Sequence, residues 1–411
     1  MKINKHCFPN GLRLVHYEDT STQMVALNIV YDVGARDEHP EHTGFAHLFE
    51  HLMFGGSAHI PDYDTPLQLA GGENNAWTNN DITNYYLTVP KPNVETAFWL
   101  ESDRMLELAF SEQSLEVQRG VVMEEFKQRC LNQPYGDVGH LFRPLAFRVH
   151  PYRWPTIGKE LSHIEQATLD EVKSFFYRFY APNNAVLAVT GNISWDETVK
   201  LTEKWFAPIP RRDVPVRQLP QEPEQTQERR LTVERNVPLD ALFMGYHMCS
   251  REGADYYAFD ILSDILSNGR SSRLNRRLVQ EQNIFSGIDA YISGTRDAGL
   301  LQISGKPAAG VSLEQAEAAV RKELEELQRS PVDGQELEKV KNKFESTQIF
   351  GNINYLNVAT NLAWFELTGK AEDIDLEVER YRSVTTEQLH IVAQRTFCES
   401  NAVVLYYKSD K

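Results

Sequence analysis

Residues 41–57 read EHTGFAHLFEHLMFGGS, and the rest of the chain can be ordered around them. Phe45, Leu48, Phe49 and Leu52 stand at i, i+3, i+4 and i+7, the apolar stripe of an amphipathic helix. Thr43 is placed to cap its start and Gly55-Gly56 to end it. The opposite face then carries His47, Glu50 and His51. Residues four apart share one face a turn apart, so both imidazoles converge on one point with Glu50 beside it. Two nitrogens and a carboxylate next to a bound water suit a zinc ion.

The order His-x-x-Glu-His inverts the commoner His-Glu-x-x-His zinc helix. A chain with 12 histidines matches it by chance with a probability of about 3%. The bland alternative is a solvated or internally satisfied His/Glu cluster. A catalytic zinc also needs a third protein ligand and an open position. Residues 114–130, SLEVQRGVVMEEFKQRC, offer Glu124 and Glu125 on a second helical stretch, with Leu115, Val122 and Phe126 as its apolar stripe. Spacing leaves both acids open. Glu125 projects nearer the core edge, where a buried acid needs a partner such as a metal.

Working outward, the apolar run Met24 to Val33 reads as a strand, joined to the helix by the polar turn ARDEHPEHTG. The second half repeats this layout. There Ala241 to Met248 is followed by CSREGADYY and a helical pattern from Ala258 to Leu266. The β-rich runs Tyr85 to Val89 and Leu300 to Ser304 precede helical stretches, which in the second half are Leu313 to Leu327 and Gly334 to Ile349. Ala185 to Val189 and Ala402 to Tyr407 are closing strands. Between the halves lies PIPRRDVPVRQLPQEPEQTQERR, rich in proline and charge and without apolar periodicity. The expected organisation is therefore an N-terminal zinc-binding domain at 1–207, a linker at 208–230 and a similar domain without the motif at 231–411. The fold class is α+β, two α/β-layered domains related by internal duplication.

Composition narrows the function. Of 411 residues, 41% are hydrophobic and 24% charged, a globular balance. The net charge of −16 argues against a nucleic-acid binder, which carries a basic footprint. No run reaches the roughly 18 apolar residues of a membrane span, so no membrane association is expected. The N-terminus lacks an apolar export segment, which points to the cytoplasm. Cys7, Cys130, Cys249 and Cys398 are scattered and form no CxxC pair; buried free thiols are the expectation.

His47-Leu-Phe-Glu50-His51, the following Gly-Gly and an acid pair about 74 residues after His51 resemble the pitrilysin/insulinase family. These are inverted-motif zinc metallopeptidases, and the chain is similar to their short, two-domain bacterial type, related to mitochondrial processing peptidase. NGLRLV, GGENNAWTNNDITNYY, GNISWDETVKLTEKWFAPIP and NGRSSRL extend the likeness along nearly the whole chain. The resemblance implies one Zn2+ per chain on His47, His51 and Glu125, with Glu50 as general base. It places Gln118 where the family often has an auxiliary acid. It also makes the Asn75-Ala76 strand the one that holds substrate beside the metal; read alone, a short Ala76 on a sheet edge already suits a peptide backbone pairing there.

One part of the pattern is broken. The family's second half usually carries an Arg and, seven residues later, a Tyr that bind the substrate carbonyl. Those positions align with Val279 and Ser286, which are no substitutes. Arg276, Arg277 and Phe285 lie nearby without the expected spacing and read as an ordinary charged helix face. The resemblance implies half of a clamshell, hence a homodimer or a heterodimer with a zinc-less relative that closes the chamber. The reading is a zinc endopeptidase or oligopeptidase for unfolded peptides. The alternative is a non-catalytic structural or peptide-binding subunit of the same family.

Overall fold

Both faces of the first sheet are apolar, and this decides its architecture. In the strand Met24–Tyr31, Val25, Leu27, Ile29 and Tyr31 enter one core together with Phe45, Leu48 and Phe49. Ala26 and Val30, on the alternate face, enter a second core. That second face is covered by the helix Tyr355–Thr368 through Val358, Ala359, Leu362 and Ala363. Ala26 and Ala188 in the sheet and Ala359 and Ala363 in the helix are small, which lets helix and sheet approach closely.

The computed structural model describes residues 1–410, in two units. The first holds β1 (Ile3–Cys7), β2 (Arg13–Glu18), β3 (Met24–Tyr31), β4 (Glu73–Thr78), β5 (Thr83–Pro90) and β6 (Ala185–Gly191). They lie in the order β1-β2-β6-β3-β5-β4. Only the β2–β6 pair is parallel. The second holds β7 (Arg229–Arg235), β8 (Ala241–His247), β9 (Phe285–Ile292), β10 (Leu300–Pro307) and β11 (Ala402–Ser409), ordered β7-β11-β8-β10-β9. Again the closing strand supplies the one parallel pair, β11–β7. The repeated order, with β6 and β11 in the same place, is the expected duplication in an α+β fold.

Each unit borrows a helix from the other half of the sequence. The first unit comprises Met1–Leu131, Trp154–Pro220 and Ile349–Leu376; the second comprises Asn132–Arg153, Gln221–Gln348 and the chain from Glu377 onward. These units differ from the division at 208–230. The cause is burial: the helix Val138–Ala146 sets Phe142 and Ala146 against Ala241, Leu300, Val403 and Leu405, just as Tyr355–Thr368 covers the first sheet. Pro210 to Thr226 carry no regular secondary structure, yet the segment is pinned. Arg217 pairs with Asp37 at 2.6 Å in the first unit, and Gln225 donates to the Ser400 and Ala402 carbonyls in the second.

Candidate metal centre

The predicted helix runs from Phe45 to Leu52. Its stripe packs as the spacing requires: Phe45, Leu48, Phe49 and Leu52 are buried, and Phe49 stacks on Phe175 and Tyr180 at 5.3 and 5.0 Å. The Tyr85 hydroxyl donates to the Phe49 carbonyl at 3.1 Å. The start differs from the expectation. Gly44, not Thr43, is the N-cap, and the Thr43 hydroxyl instead accepts from the Lys159 amide at 2.8 Å. Glu38 takes the capping role, accepting from the amides of Gly44 and Ala46, both at 2.9 Å. Burial pushes its carboxyl up to about 8, with these two N–H groups acting in the opposite sense.

On the polar face, the His47 and His51 Nε2 atoms stand 3.5 and 3.3 Å from Glu125 Oε2. Glu125 comes from the second predicted helix, Glu112–Phe126, and its other oxygen meets Arg129 at 2.9 Å. One donor atom from each of His47, His51 and Glu125 lies within 4.8 Å of the others, a group able to hold a metal ion. Of the two acids, Glu125 is the one that faces the imidazoles. The Glu124 side chain is 64% exposed and pairs with Lys127, whereas that of Glu125 is 19% exposed and faces the imidazoles.

Burial holds His47 down, to about 4, so at neutral pH its imidazole is uncharged and its nitrogen lone pair is free for a metal. Burial raises the Glu50 carboxyl, opposed by the Thr78 hydroxyl beside it. A base of raised pKa is better matched to work near neutrality. Glu125 is shifted down, first by its hydrogen bond with His51.

β4 is an edge strand. Asn75 and Ala76 lie on it, and Asn75 Oδ1 accepts from the Ala76 amide at 2.8 Å. Gln118 is half-buried on the Glu125 helix. In the second unit, Val279 packs against the core and the Ser286 hydroxyl donates to the Lys306 carbonyl at 3.1 Å. Arg277 pairs with Glu323 and Arg276 with Glu281. Of the four cysteines only Cys130 is buried; Cys7 is exposed because β1 is an edge strand, and Cys249 and Cys398 are intermediate. Glu38 and Arg129 escaped the sequence reading. Arg129 lies four residues after Glu125, a spacing that could have signalled it; nothing in ARDEH marks Glu38.

The family profile described as "Insulinase (Peptidase family M16)" matches residues 13–137, and that described as "Peptidase M16 inactive domain" matches 166–344. This chain belongs to the pitrilysin/insulinase family, M16, in its short two-domain form. It is 26% identical to the zinc protease PqqE of Helicobacter pylori, covering 97% of this chain and 91% of the relative. It is 25% identical to the uncharacterized zinc protease YmxG of Bacillus subtilis, over 98% of each. A crystal structure of a Helicobacter pylori protease superposes with a TM-score of 0.93 at 26% identity, covering 99% of both chains. A Pseudomonas fluorescens M16 inactive-domain structure, at 16% identity and a TM-score of 0.90 over 100% of this chain and 99% of that one, shares the fold. No helix among the described residues is long and apolar enough to cross a membrane.

Proposed function

We propose that this M16 protein is a zinc-dependent endopeptidase of unfolded peptides, with one Zn2+ per chain on His47, His51 and Glu125. The observation that carries the reading is the convergence of these three donors beside Glu50. Zinc bonds of about 2.0–2.2 Å in a tetrahedron set neighbouring donors roughly 3.3–3.6 Å apart. The two His–Glu125 separations, 3.5 and 3.3 Å, fit that edge. Two imidazoles and one carboxylate also match the donor set of catalytic zinc.

When bound, the metal supplies Lewis-acid polarisation of the peptide carbonyl and lowers the pKa of a water. Glu50, on the same helix face, takes the proton from the attacking water and returns it to the departing amine. The free edge of β4 receives the peptide as an added strand, with Asn75 releasing the Ala76 amide so that it can bond the substrate backbone. Recognition through backbone asks for an extended, unfolded segment and reads little side-chain sequence.

The Val279 and Ser286 positions leave the carbonyl without the family's Arg and Tyr. A second chain, identical or a zinc-less relative, closes the chamber in this reading and is the place to look for those donors. Four scattered cysteines with no CxxC pair agree with a reducing compartment, the cytoplasm.

The test is Glu50→Gln beside wild type, with zinc content measured in both and cleavage followed on a quenched library of unstructured peptides. The reading expects about one zinc in each and cleavage by wild type alone. Zinc without cleavage in wild type would favour the non-catalytic subunit or a missing partner chain. A wild type that holds no zinc and cleaves nothing would overturn it.

A further inference from the structure

An eight-residue helix is too short to hold its own shape in water. The helix that carries His47, Glu50 and His51 also begins without a capping side chain, because its N-cap is Gly44 at φ 89°. Any residue with a side chain would be strained there. A Cβ on Gly44 would lie 2.8 Å from the Ile157 carbonyl oxygen and 2.8 Å from the Ile164 side chain, so Ser, Thr, Asp and Asn are excluded from the usual capping place. Two of the amides orphaned at this helix start are met from outside the helix. Glu38, 6% exposed, sets one carboxyl oxygen to accept from the Gly44 amide and the other from the Ala46 amide.

His47 follows Ala46 directly. A metal-binding imidazole is normally aimed by a partner on its second nitrogen, but the buried His47 Nδ1 has no protein partner. With Nδ1 unheld, the ring's direction depends on the backbone of the first turn as well as on the Glu125 carboxylate that faces Nε2. We propose that Glu38 is a positioning residue for the metal centre: by gripping the Gly44 and Ala46 amides it sets the direction in which His47 presents Nε2. The metal part of this inference rests on the zinc reading above, whereas the grip on the helix does not.

Two measurements on wild type, Glu38→Gln and Glu38→Ala separate the parts. Amide exchange of the metal-free protein over residues 45–52 reads the grip, and chelator competition reads zinc affinity. In Glu38→Ala, exchange in 45–52 speeds at least tenfold and zinc affinity falls about 10- to 100-fold, the range for lost supporting groups around a metal. Glu38→Gln, which keeps one acceptor oxygen, folds and falls between the two. Wild-type exchange and affinity in both variants would overturn the proposal. So would exchange that quickens evenly along the whole chain, since Glu38 would then be a residue of general stability. A wild type that takes up no zinc overturns the zinc reading and the metal part of this inference with it, and the exchange data then decide the grip alone.

Discussion

The two units lay their strands in the same order, yet among the described residues only the first brings together a group able to hold a metal ion. In the first, the step from β3 leads to FAHLFEHL; in the second, the step from β8 leads to YYAFDILSDILS. The second helix carries acids too, but each has an ordinary partner. Asp260 accepts from the Tyr381 hydroxyl and Asp264 from Asn268. Buried carboxylates elsewhere in the second unit are held by guanidinium groups: Glu377 by Arg251 at 2.8 Å and Glu323 by Arg277 at 2.6 Å. In the first unit, Glu125 gives one oxygen to Arg129 and turns the other to two imidazoles. A shared fold thus fixes where side chains can meet, and the donors placed there decide the chemistry.

The largest expected effect breaks the comparison at its centre. Glu125→Ala or His51→Ala removes one of three donors, so stoichiometric zinc should be lost, and with it at least about 100-fold of any peptidase activity. Asp260→Asn and Asp264→Asn should change neither; zinc content by elemental analysis and initial rates check both sets. If the second-unit variants cost zinc as well, the two units are not chemically distinct.

The covering helices supply the next contrast. Leu362→Ala opens a cavity in the outer core of the first unit and should cost about 2–5 kcal/mol. Phe142→Ala does the same to the second unit and should cost about 3–5 kcal/mol. Phe350, 70% exposed beside the first of these helices, should tolerate Ala within about 0.5 kcal/mol. Denaturant melts of the metal-free protein measure all three.

A smaller effect is set by pH. His47 titrates at about 4 when folded and 6.5 when unfolded, so between those values the unfolded chain binds more protons. Its contribution is therefore complete above about pH 6.5 and is lost as pH falls toward 4, by no more than about 3 kcal/mol. Metal-free His47→Leu should lose less stability than wild type between pH 7 and 4.5 in urea melts. Equal losses would mean that His47 is not held neutral by its surroundings.

Periodicity made much of this legible in the sequence. The runs Met24 to Val33, Ala241 to Met248 and Ala402 to Tyr407 fall on β3, β8 and β11 within two residues at each end, because half-buried or buried strands show in their apolar runs. The His47–Glu50–His51 face was legible because a helix fixes the direction of residues four apart. The helix Tyr355–Thr368 was not, since a sequence apolar on more than one side carries no sharp stripe and its partner sheet lies more than 150 residues upstream. Glu38 was hidden for a similar reason. Its role depends on Gly44 being barred from bearing a side chain by Ile157 and Ile164, contacts more than a hundred residues apart.

The most direct test of the central claim is an anomalous-difference map from crystals grown with zinc, collected at the zinc edge. One strong peak per chain is expected, about 2.0–2.2 Å from His47 Nε2, His51 Nε2 and a Glu125 oxygen, with none in the second unit. No peak among these three residues, or a peak held by the carboxylates of the second unit, would contradict it.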